Sequence, residues 1–215
     1  LGMTNAGFDV IAFNDFDKAA VRSHLENFPD SVLIQDITQK KEKDRTDLTL
    51  IPDEIFSAYK DQADIIFAGF SCQGFSNGGK KLPDDPRNTL FRDFARATNC
   101  IRPKYIIGEN VDGLLNRKTA TGENYIDVIV AEFERIGYNI AYQVCHTVRF
   151  GIPQLRKRLI IVGIRTDLNK TFAFPEPLND GKTNLPNLKD IIEFSMEGAI
   201  KIEPDDFDMT TIPDE

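Results

Sequence analysis

Residues 65–81 read IIFAGFSCQGFSNGGKK, and this stretch decides the fold. Its first four residues form an apolar run that is short enough to be a buried strand of a parallel sheet. The chain then turns through glycine and polar residues, with Cys72 near the start of the turn. In an open α/β sheet, ligands and reacting groups lie at the carboxyl ends of the strands. The stretch therefore predicts a strand followed by a functional loop.

The loop after this strand combines a pliable backbone with positive charge. Cys72 taken alone would be a small buried hydrophobe, as most free cysteines are. A core cysteine needs neither glycines nor basic residues around it, so the context favours a nucleophile beneath a basic lid. The glycines make the backbone pliable and the basic residues suit an anionic substrate; they are Gly74, Gly78, Gly79, Lys80, Lys81 and Arg87.

Length and composition describe one soluble domain of ordinary size. The chain has 215 residues, of which 41% are hydrophobic and 28% charged. No apolar run approaches the roughly 20 residues that span a bilayer, and no secretory signal opens the chain. We expect a reduced, cytoplasmic protein without a membrane partner. The cysteines and histidines are too widely spaced for a disulfide framework or a metal site, and they are Cys72, Cys100, Cys145, His24 and His146.

The net charge of −8 argues weakly against a nucleic-acid partner. The sum of charges is a poor guide where a local basic face binds the polyanion. A nucleic-acid partner therefore stays open at this point.

Acidic residues follow two predicted strands near the start of the chain. Residues 8–13 predict a buried strand that leads into Asp15, and residues 32–34 predict a strand that leads into Asp36. In dinucleotide-type folds, an acid at such a strand end binds the ribose of a nucleoside cofactor. Asp15 is the ribose candidate, whereas Asp17 is interpreted as the N-cap of the following helix. Asp36 is a candidate acceptor for an adenine amino group, with a turn aspartate as the alternative.

Charged residues also flank two later strands. Residues 105–108 predict a buried strand that leads into Glu109, whose carboxylate would lie beside Cys72 if the two strands are neighbours. Arg156 and Arg158 precede an apolar strand, and alternate residues of a strand face the same way. Two adjacent guanidinium groups repel each other unless an anion or a carbonyl oxygen lies between them. Ordinary surface arginines are the alternative interpretation.

The alternation of strands and helices predicts an α/β fold with a doubly wound, mostly parallel sheet. Further strands are expected over residues 140–144 and 159–164. Beyond Asp167 the periodicity fades, and one short helix is expected over residues 188–194. The acidic segment 203–208 is typical of a linker or an unfinished domain.

These motifs together resemble the DNA (cytosine-5) methyltransferases of bacterial restriction-modification systems. Five motifs stand in the family's order, namely NDFDK, QDIT, GFSCQGFS, ENV and QLRKR, and the resemblance covers residues 1–178. It implies a Rossmann-like methyltransferase fold, S-adenosyl-L-methionine as methyl donor and cytosine in double-stranded DNA as acceptor. It also implies a bacterial, cytoplasmic enzyme that acts as a monomer.

The resemblance implies a catalytic role for five residues. Cys72 would attack carbon 6 of cytosine, while Glu109 would engage ring nitrogen 3 and the exocyclic amine. Asn110 would support the loop. Arg156 and Arg158 would orient the flipped base and brace the catalytic loop.

The resemblance also implies contacts with the cofactor and with DNA. Cofactor contacts are expected for Asp15 (ribose), Phe16 (stacking on adenine), Asp36 and Ile37 (adenine), Gly69, Ser71 and Leu90. Contacts with DNA are expected for Gln73 and Ser76, which match the DNA-facing positions of the lid, and for the basic residues Lys80, Lys81 and Arg87.

The chain departs from the family pattern at three points. Ser71 stands where the family usually has proline, so the rigidity of that backbone position is not implied here. The family's glycine-rich cofactor loop is missing before Leu1. Its target-recognition domain and the late helix that completes the cofactor site are missing after residue 215, and we expect the catalytic core of a longer chain. Residues 1–178 would form the catalytic and cofactor-binding domain, and residues 179–215 a linker or the start of a target-recognition region.

Two alternative functions stay open. A tRNA cytosine-5 methyltransferase of the same superfamily would use the same residues. A non-catalytic, regulatory homologue would keep the fold and lose the thiol or the acid. The presence of both Cys72 and Glu109 weighs against the regulatory alternative.

Overall fold

The computed structural model describes residues 2–70, 90–119, 121–183 and 185–186. The helices are α1 (Gly2–Asn5), α2 (Lys18–Asn27), α3 (Asp53–Ser57), α4 (Leu90–Ile101) and α5 (Tyr125–Arg135). The strands are β1 (Ala12–Phe13), β2 (Val32–Leu33), β3 (Ile65–Ala68), β4 (Tyr105–Asn110), β5 (Tyr138–His146) and β6 (Lys157–Arg165). The loop predicted around Cys72, the helix expected over 188–194 and the acidic segment 203–208 lie outside the described residues.

The described strands form two sheets. In the first, β1 pairs parallel with β2. The second has the order β3-β4-β6-β5, with β3 and β4 parallel and β6 antiparallel to both of its neighbours. Three of its four strands therefore run in one direction and only β6 runs in the other. This arrangement confirms the predicted α/β fold with a mostly parallel sheet.

A glycine lets β6 fit between β4 and β5. Gly163 pairs with Ile106 on one side and with Ile140 on the other. A Cβ atom at this position would lie 2.5 Å from Ile106 Cγ1 and 2.8 Å from Ile140 Cδ1, so no larger residue fits without a shift of its neighbours. The two isoleucines occupy the space that a side chain on residue 163 would need.

The main core lies between the four-stranded sheet and two helices. One face of α4 is apolar and faces this core, because Phe91, Phe94 and Ala95 are buried. Burial of one such large side chain stabilises the fold by about 1.5–3 kcal/mol. The buried residues packed together here are Phe91, Phe94, Ala95, Ile106, Leu114, Tyr125, Ile126, Ile129, Phe133, Ile136, Tyr138, Leu159 and Ile161.

Two strands differ from their predictions. The buried strand predicted over residues 8–13 is reduced to Ala12–Phe13, and Phe8 and Ile11 are 41% and 40% exposed. A two-stranded sheet of this length buries little apolar surface. In β3, Phe67 is 57% exposed because β3 forms the edge of its sheet. Both predictions of a fully buried strand were therefore wrong.

The described ranges contain neither a membrane-spanning helix nor a cluster of metal-binding side chains. None of their helices is both long and apolar enough to cross a membrane. Within the same ranges, no group of three or more His, Cys, Asp or Glu residues is placed to hold a metal ion.

Candidate active site

The ends of β3 and β4 lie side by side, as the sequence predicts. Ala68 pairs with Gly108 in the parallel ladder, so Gly69 and Glu109 follow at the same level. A Cβ atom on Gly69 would lie 3.7 Å from Glu109 Oε2. The chain that leads toward Cys72 thus leaves the sheet beside the Glu109 carboxylate.

Glu109 is the anion between the two arginines. Its Oε1 atom lies 2.6 Å from Nε of Arg158 and 3.9 Å from Nη2 of Arg156. The antiparallel register pairs Glu109 with Ile160, and Arg158, two residues earlier, is on the same face of the sheet. The side chains of Glu109 and Arg158 are 30% and 25% exposed, which leaves the carboxylate within reach of a substrate.

The two oxygens of Glu109 have different surroundings. Oε1 is held by the guanidinium groups, whereas Oε2 lies toward Gly69. A carboxylate oxygen accepts hydrogen bonds from amino groups, and a protonated carboxyl group can donate one. Glu109 therefore presents its Oε2 atom at the end of β3. This oxygen can accept a hydrogen bond from a substrate group, or donate one when it carries a proton.

Asn110 connects the ends of the same two strands. Its side chain is buried, and its Nδ2 atom donates to the carbonyl oxygen of Phe70 at 3.1 Å. Its Oδ1 atom accepts from the backbone N–H of Val111 at 2.9 Å. Phe70 is the last described residue before the segment that contains Cys72, so Asn110 holds the backbone at the entry to that segment.

Asp15 and Asp17 lie beyond the end of β1, and their carboxylates accept different hydrogen bonds. The Oδ1 atom of Asp15 accepts from the backbone N–H of Asp17 at 2.9 Å. Asp17 accepts from the N–H of Ala20 at 2.9 Å, which confirms it as the N-cap of α2. Asp15 is not the helix cap and retains its second oxygen for a ligand.

Asp36 follows β2 and is only 4% exposed. Its carboxylate accepts from the N–H and the hydroxyl of Thr38, at 3.0 and 2.6 Å, and from the side-chain amide of Gln39 at 2.9 Å. The hydrogen bonds from Thr38, with a smaller contribution from Gln39, hold the pKa of Asp36 below its usual range. The group stays an anion, and therefore a pure acceptor, near neutral pH.

Apolar side chains stand beside these two acids. Phe16 is 76% exposed and Ile37 is 71% exposed, although each adjoins a carboxylate. Exposed apolar groups next to hydrogen-bond acceptors suit a flat heteroaromatic ring with an amino group. Leu90, the remaining cofactor candidate that the structure describes, opens α4 and is half-buried.

Apart from Leu90, the described candidates fall into two groups. Gly69, Glu109, Asn110, Arg156 and Arg158 meet at the ends of β3, β4 and β6. The other group surrounds the ends of β1 and β2 and comprises Asp15, Phe16, Asp36 and Ile37. The candidates outside the described residues are Ser71, Cys72, Gln73, Ser76, Lys80, Lys81 and Arg87.

The structure also brings in two residues that sequence reasoning missed. Gln39 binds the Asp36 carboxylate, and Asn14 donates to the carbonyl oxygens of Ile34 and Thr46. The signal for Asn14 was its place between a strand and Asp15, where a polar residue is common. Its bonding partners are 20 and 32 residues away along the chain, and no local pattern indicates them.

The other two cysteines are poor nucleophiles. Cys100 and Cys145 are free and partly buried, and burial raises the pKa of both thiols. A thiol attacks as the thiolate, so a raised pKa lowers the reactive fraction near neutral pH.

The chain was compared with the models of known protein families. Residues 1–209 match the model of the family described as C-5 cytosine-specific DNA methylase. The chain belongs to this family. The family predicted from the five sequence motifs is thereby confirmed.

Curated relatives of this methylase chain carry the name type II methyltransferase. M.NgoFVII of Neisseria gonorrhoeae is 36% identical over 181 residues, which cover 84% of this chain and 44% of the relative. M.Eco47II of Escherichia coli is 33% identical over 196 residues, which cover 90% of this chain and 42% of the relative. The chain thus spans less than half the length of these relatives.

Solved structures confirm the predicted fold. The S. pombe Dnmt2 methyltransferase superposes with a TM-score of 0.61 at 18% identity, over 90% of this chain and 57% of that one. The Spodoptera frugiperda DNMT2 structure gives a TM-score of 0.63 at 21% identity, over 89% of this chain and 55% of that one. At these identities the likeness establishes the fold of the methylase chain and nothing finer.

Proposed function

We propose that the protein containing this chain transfers a methyl group from S-adenosyl-L-methionine to carbon 5 of cytosine in double-stranded DNA. The reaction passes through a covalent adduct with Cys72. One observation carries the proposal: Glu109, held by Arg158, lies beside the strand end that leads to Cys72. Membership of the family and the names of its type II relatives support the choice of substrate.

Cys72 acts as the nucleophile. Its thiolate forms a bond to carbon 6 of the base, and the displaced electron pair makes carbon 5 nucleophilic. A free thiol has a pKa of about 8.5, so only a few per cent is thiolate near neutral pH. Carbon 5 gains the methyl group, whose bonding electron pair stays with the sulfur of the donor. Carbon 5 then loses its proton to a base, and the electrons of the C–H bond restore the ring double bond and expel Cys72 as thiolate.

Glu109 stabilises the ring while the thiolate adds. In its protonated form its carboxyl group donates to ring nitrogen 3 and accepts from the exocyclic amine, and transfer of this proton to nitrogen 3 neutralises the negative charge that the attack places on the ring. Arg158 and Arg156 fix one carboxyl oxygen, which leaves the other for the base. The base must first leave the duplex stack, at a cost of a few kcal/mol. Asn110 holds the backbone at the entry to the Cys72 segment during this step.

The residues at the ends of β1 and β2 hold the cofactor. Asp15 binds the ribose hydroxyls and Asp36 accepts from the adenine amino group. Phe16 and Ile37 cover the adenine ring with apolar surface that is otherwise exposed. S-adenosyl-L-methionine supplies an electrophilic methyl group when it is bound there. Gly69, Ser71 and Leu90 complete the contacts that the family pattern assigns.

Residues of the Cys72 segment contact the DNA. Gln73 and Ser76 face the duplex, and the basic residues of the segment neutralise phosphates. These basic residues are Lys80, Lys81 and Arg87.

A mechanism-based trap tests this proposal. A duplex with 5-fluorocytosine at the target base should bind the full-length protein covalently, because fluorine cannot leave as a cation and the final elimination stalls. Cys72→Ser should abolish the adduct, since a hydroxyl group is far less ionised than a thiol. Cys100→Ser and Cys145→Ser are the matched controls and should keep it. Peptide mapping of the adduct identifies the crosslinked residue.

Methyl-transfer assays on duplex DNA and on tRNA, together with the covalent trap, separate the alternatives. Methyl transfer to tRNA but not to duplex DNA would identify the RNA-modifying member of the superfamily. An adduct that survives Cys72→Ser, or one mapped to Cys100 or Cys145, would refute the assigned nucleophile. A full-length protein that binds cofactor and DNA without methylating either substrate would support the regulatory alternative.

A further inference from the structure

One side-chain amide joins three segments at the cofactor end of the two-stranded sheet. Asn14, directly after β1, donates from Nδ2 to the carbonyl oxygen of Ile34 at 3.0 Å and to that of Thr46 at 3.1 Å. An amide NH₂ group has two hydrogens to donate, and both are used here. Asn14 therefore bridges the end of β1, the end of β2 and the segment that returns after Asp36.

The two hydrogen bonds of Asn14 reach acceptors on either side of Asp36 in the sequence. Ile34 precedes Asp36 by two residues, and Thr46 follows Arg45, whose carbonyl oxygen accepts from the N–H of Asp36 at 2.7 Å. The two bonds of Asn14 thus fix both ends of the loop that carries Asp36. Asn14 also directly precedes Asp15, so one residue connects both carboxylates of the cofactor edge.

The backbone alone provides little rigidity at this point. The parallel pairing of β1 and β2 is two residues long, from Ala12–Val32 to Phe13–Leu33. Short strand pairs of this kind are marginally stable by themselves. The amide of Asn14 continues the connection past the last paired residues, where the ladder has ended.

The two carboxylates are oriented locally but not relative to each other. Asp15 is fixed by the N–H of Asp17, and Asp36 by Thr38 and Gln39, all within three residues of the acid they bind. Asn14 joins the two turns through partly buried hydrogen bonds, and the ion pair of Lys18 with Glu42, at 3.0 Å, also joins the start of α2 to the loop after Asp36. Exposed ion pairs contribute little, so the distance between the turns depends mainly on the amide of Asn14.

We propose that Asn14 is a positioning residue that sets the spacing of Asp15 and Asp36 and so determines affinity for the nucleoside half of the cofactor. The inference rests on the proposed function, in which Asp15 binds the ribose and Asp36 the adenine. Asparagine suits the task because its two donors face two carbonyl oxygens. Aspartate has the same shape but would present a carboxylate to them.

The test measures ligand affinity by calorimetry in the full-length protein, with S-adenosyl-L-methionine and with adenosine as separate ligands. Asn14→Ala should weaken both by a similar factor of roughly tenfold, and Asn14→Asp by more, while affinity for duplex DNA stays unchanged. The matched control is Asn179→Ala. Asn179 is also partly buried and donates to the carbonyl oxygen of Val148 at 3.0 Å, away from the β1–β2 edge, and its loss should leave both affinities unchanged.

A double-mutant cycle distinguishes positioning from a general structural role. If Asn14 acts through Asp36, then Asn14→Ala should cost much less affinity in an Asp36→Asn background than in the wild type. An equal loss in both backgrounds would overturn the proposal. Asn14→Asp keeps the side-chain shape and gives a second variant in which to repeat the cycle if the alanine variant does not fold.

Two outcomes distinguish a failure of this inference from a failure of the proposed function on which it rests. A wild-type protein that binds neither ligand would refute the proposed function together with the role of Asn14. A wild-type protein that binds both ligands, with unchanged affinity in Asn14→Ala and Asn14→Asp, would overturn the role of Asn14 alone.

Discussion

At the ends of β4 and β6, one carboxylate lies against two guanidinium groups, and these contacts make Glu109 sensitive to substitution. Glu109→Gln keeps the shape and removes the charge that attracts Arg158 at 2.6 Å. We expect methyl transfer by the full-length protein to slow by roughly 10²- to 10⁴-fold, the usual contribution of a positioned acid or base. Cofactor affinity should change little, because the proposed ribose and adenine contacts surround the ends of β1 and β2. Single-turnover kinetics and calorimetry measure the two effects separately.

A second glutamate on the same chain provides the control for Glu109. Glu132 lies on α5 and pairs with Arg135 at 2.6 Å, and its side chain is 28% exposed, close to the 30% of Glu109. Glu132→Gln should leave the methylation rate unchanged, because this ion pair lies within α5 and includes no candidate of the active site. Equal rates for Glu109→Gln and Glu132→Gln would remove Glu109 from the reaction.

Single residues also show how far the sequence could predict the site. The cap at Asp17 and the anion between Arg156 and Arg158 follow from local spacing and from the repulsion of like charges, and the structure contains both. The bridge made by Asn14 could not be predicted in this way. Its acceptors are backbone carbonyls of other segments, and every residue type has a carbonyl.

At the scale of secondary-structure elements, a buried tyrosine ties β5 to the turn between α4 and β4. Tyr138 is fully buried, and its hydroxyl donates to the carbonyl oxygen of Pro103 at 2.7 Å. Burial raises the pKa of Tyr138 to about 12, because the phenolate form would lose its hydration. In the unfolded chain a tyrosine has a pKa of about 10. The neutral form is thus favoured by folding, and its contribution is complete below about pH 10 and is lost as the pH rises toward 12.

Tyr138→Phe should reveal this contribution. Below pH 10 the variant should unfold more easily by about 1 kcal/mol, because the Pro103 carbonyl loses its donor. Above pH 10 the wild type loses about 1.4 kcal/mol per pH unit that the variant keeps, so the difference should change sign at about pH 11. Denaturant titrations of both proteins at a series of pH values measure it. A difference that is constant with pH would show that Tyr138 ionises as it does in the unfolded chain.

Gly163 determines how β6 packs between its neighbours. Gly163→Ala places a Cβ atom 2.5 Å from Ile106 Cγ1, and overpacking of this kind costs about 1–3 kcal/mol. Combining it with Ile106→Ala removes the Ile106 atoms in conflict and leaves only Ile140 Cδ1, at 2.8 Å, so the double variant should be more stable than the sum of the two single effects predicts. Gly2→Ala, where no atom lies within 4 Å of the added carbon, is the control. Strict additivity would mean that the sheet accommodates residue 163 by another route.

The same strand shows what a sequence pattern can and cannot predict about elements. The apolar runs predicted strands at 105–108, 140–144 and 159–164, and the structure has all three in longer form. The position of β6 between β4 and β5, antiparallel to both, was not predicted. Hydrophobic periodicity reports which residues face a core, but strand order and direction depend on partners that are distant in sequence.

At the scale of the whole molecule, net charge and site charge have opposite signs. The chain carries −8, yet basic residues gather in the segment after β3 and before β6. Attraction to DNA depends on the number of phosphates that a local surface neutralises rather than on the total charge. The acidic total opposes binding from a distance, while the local basic residues favour it at contact. The chain by itself should therefore bind DNA weakly.

The chain of residues 1–215 is expected to bind duplex DNA weakly and without sequence preference. Its affinity should fall steeply with salt, because the contacts are to phosphates, and duplexes of different sequence should bind equally.

Lys80→Ala with Lys81→Ala should lower the slope of log affinity against log salt by up to about two. The matched pair Lys40→Ala with Lys41→Ala keeps the same charge change in the connection after β2 and should leave the slope unchanged. Fluorescence anisotropy at several salt concentrations measures all three proteins. Tight, salt-insensitive and sequence-selective binding by this chain would show that it reads DNA sequence by itself, and equal slopes for the two lysine pairs would place the phosphate contacts elsewhere.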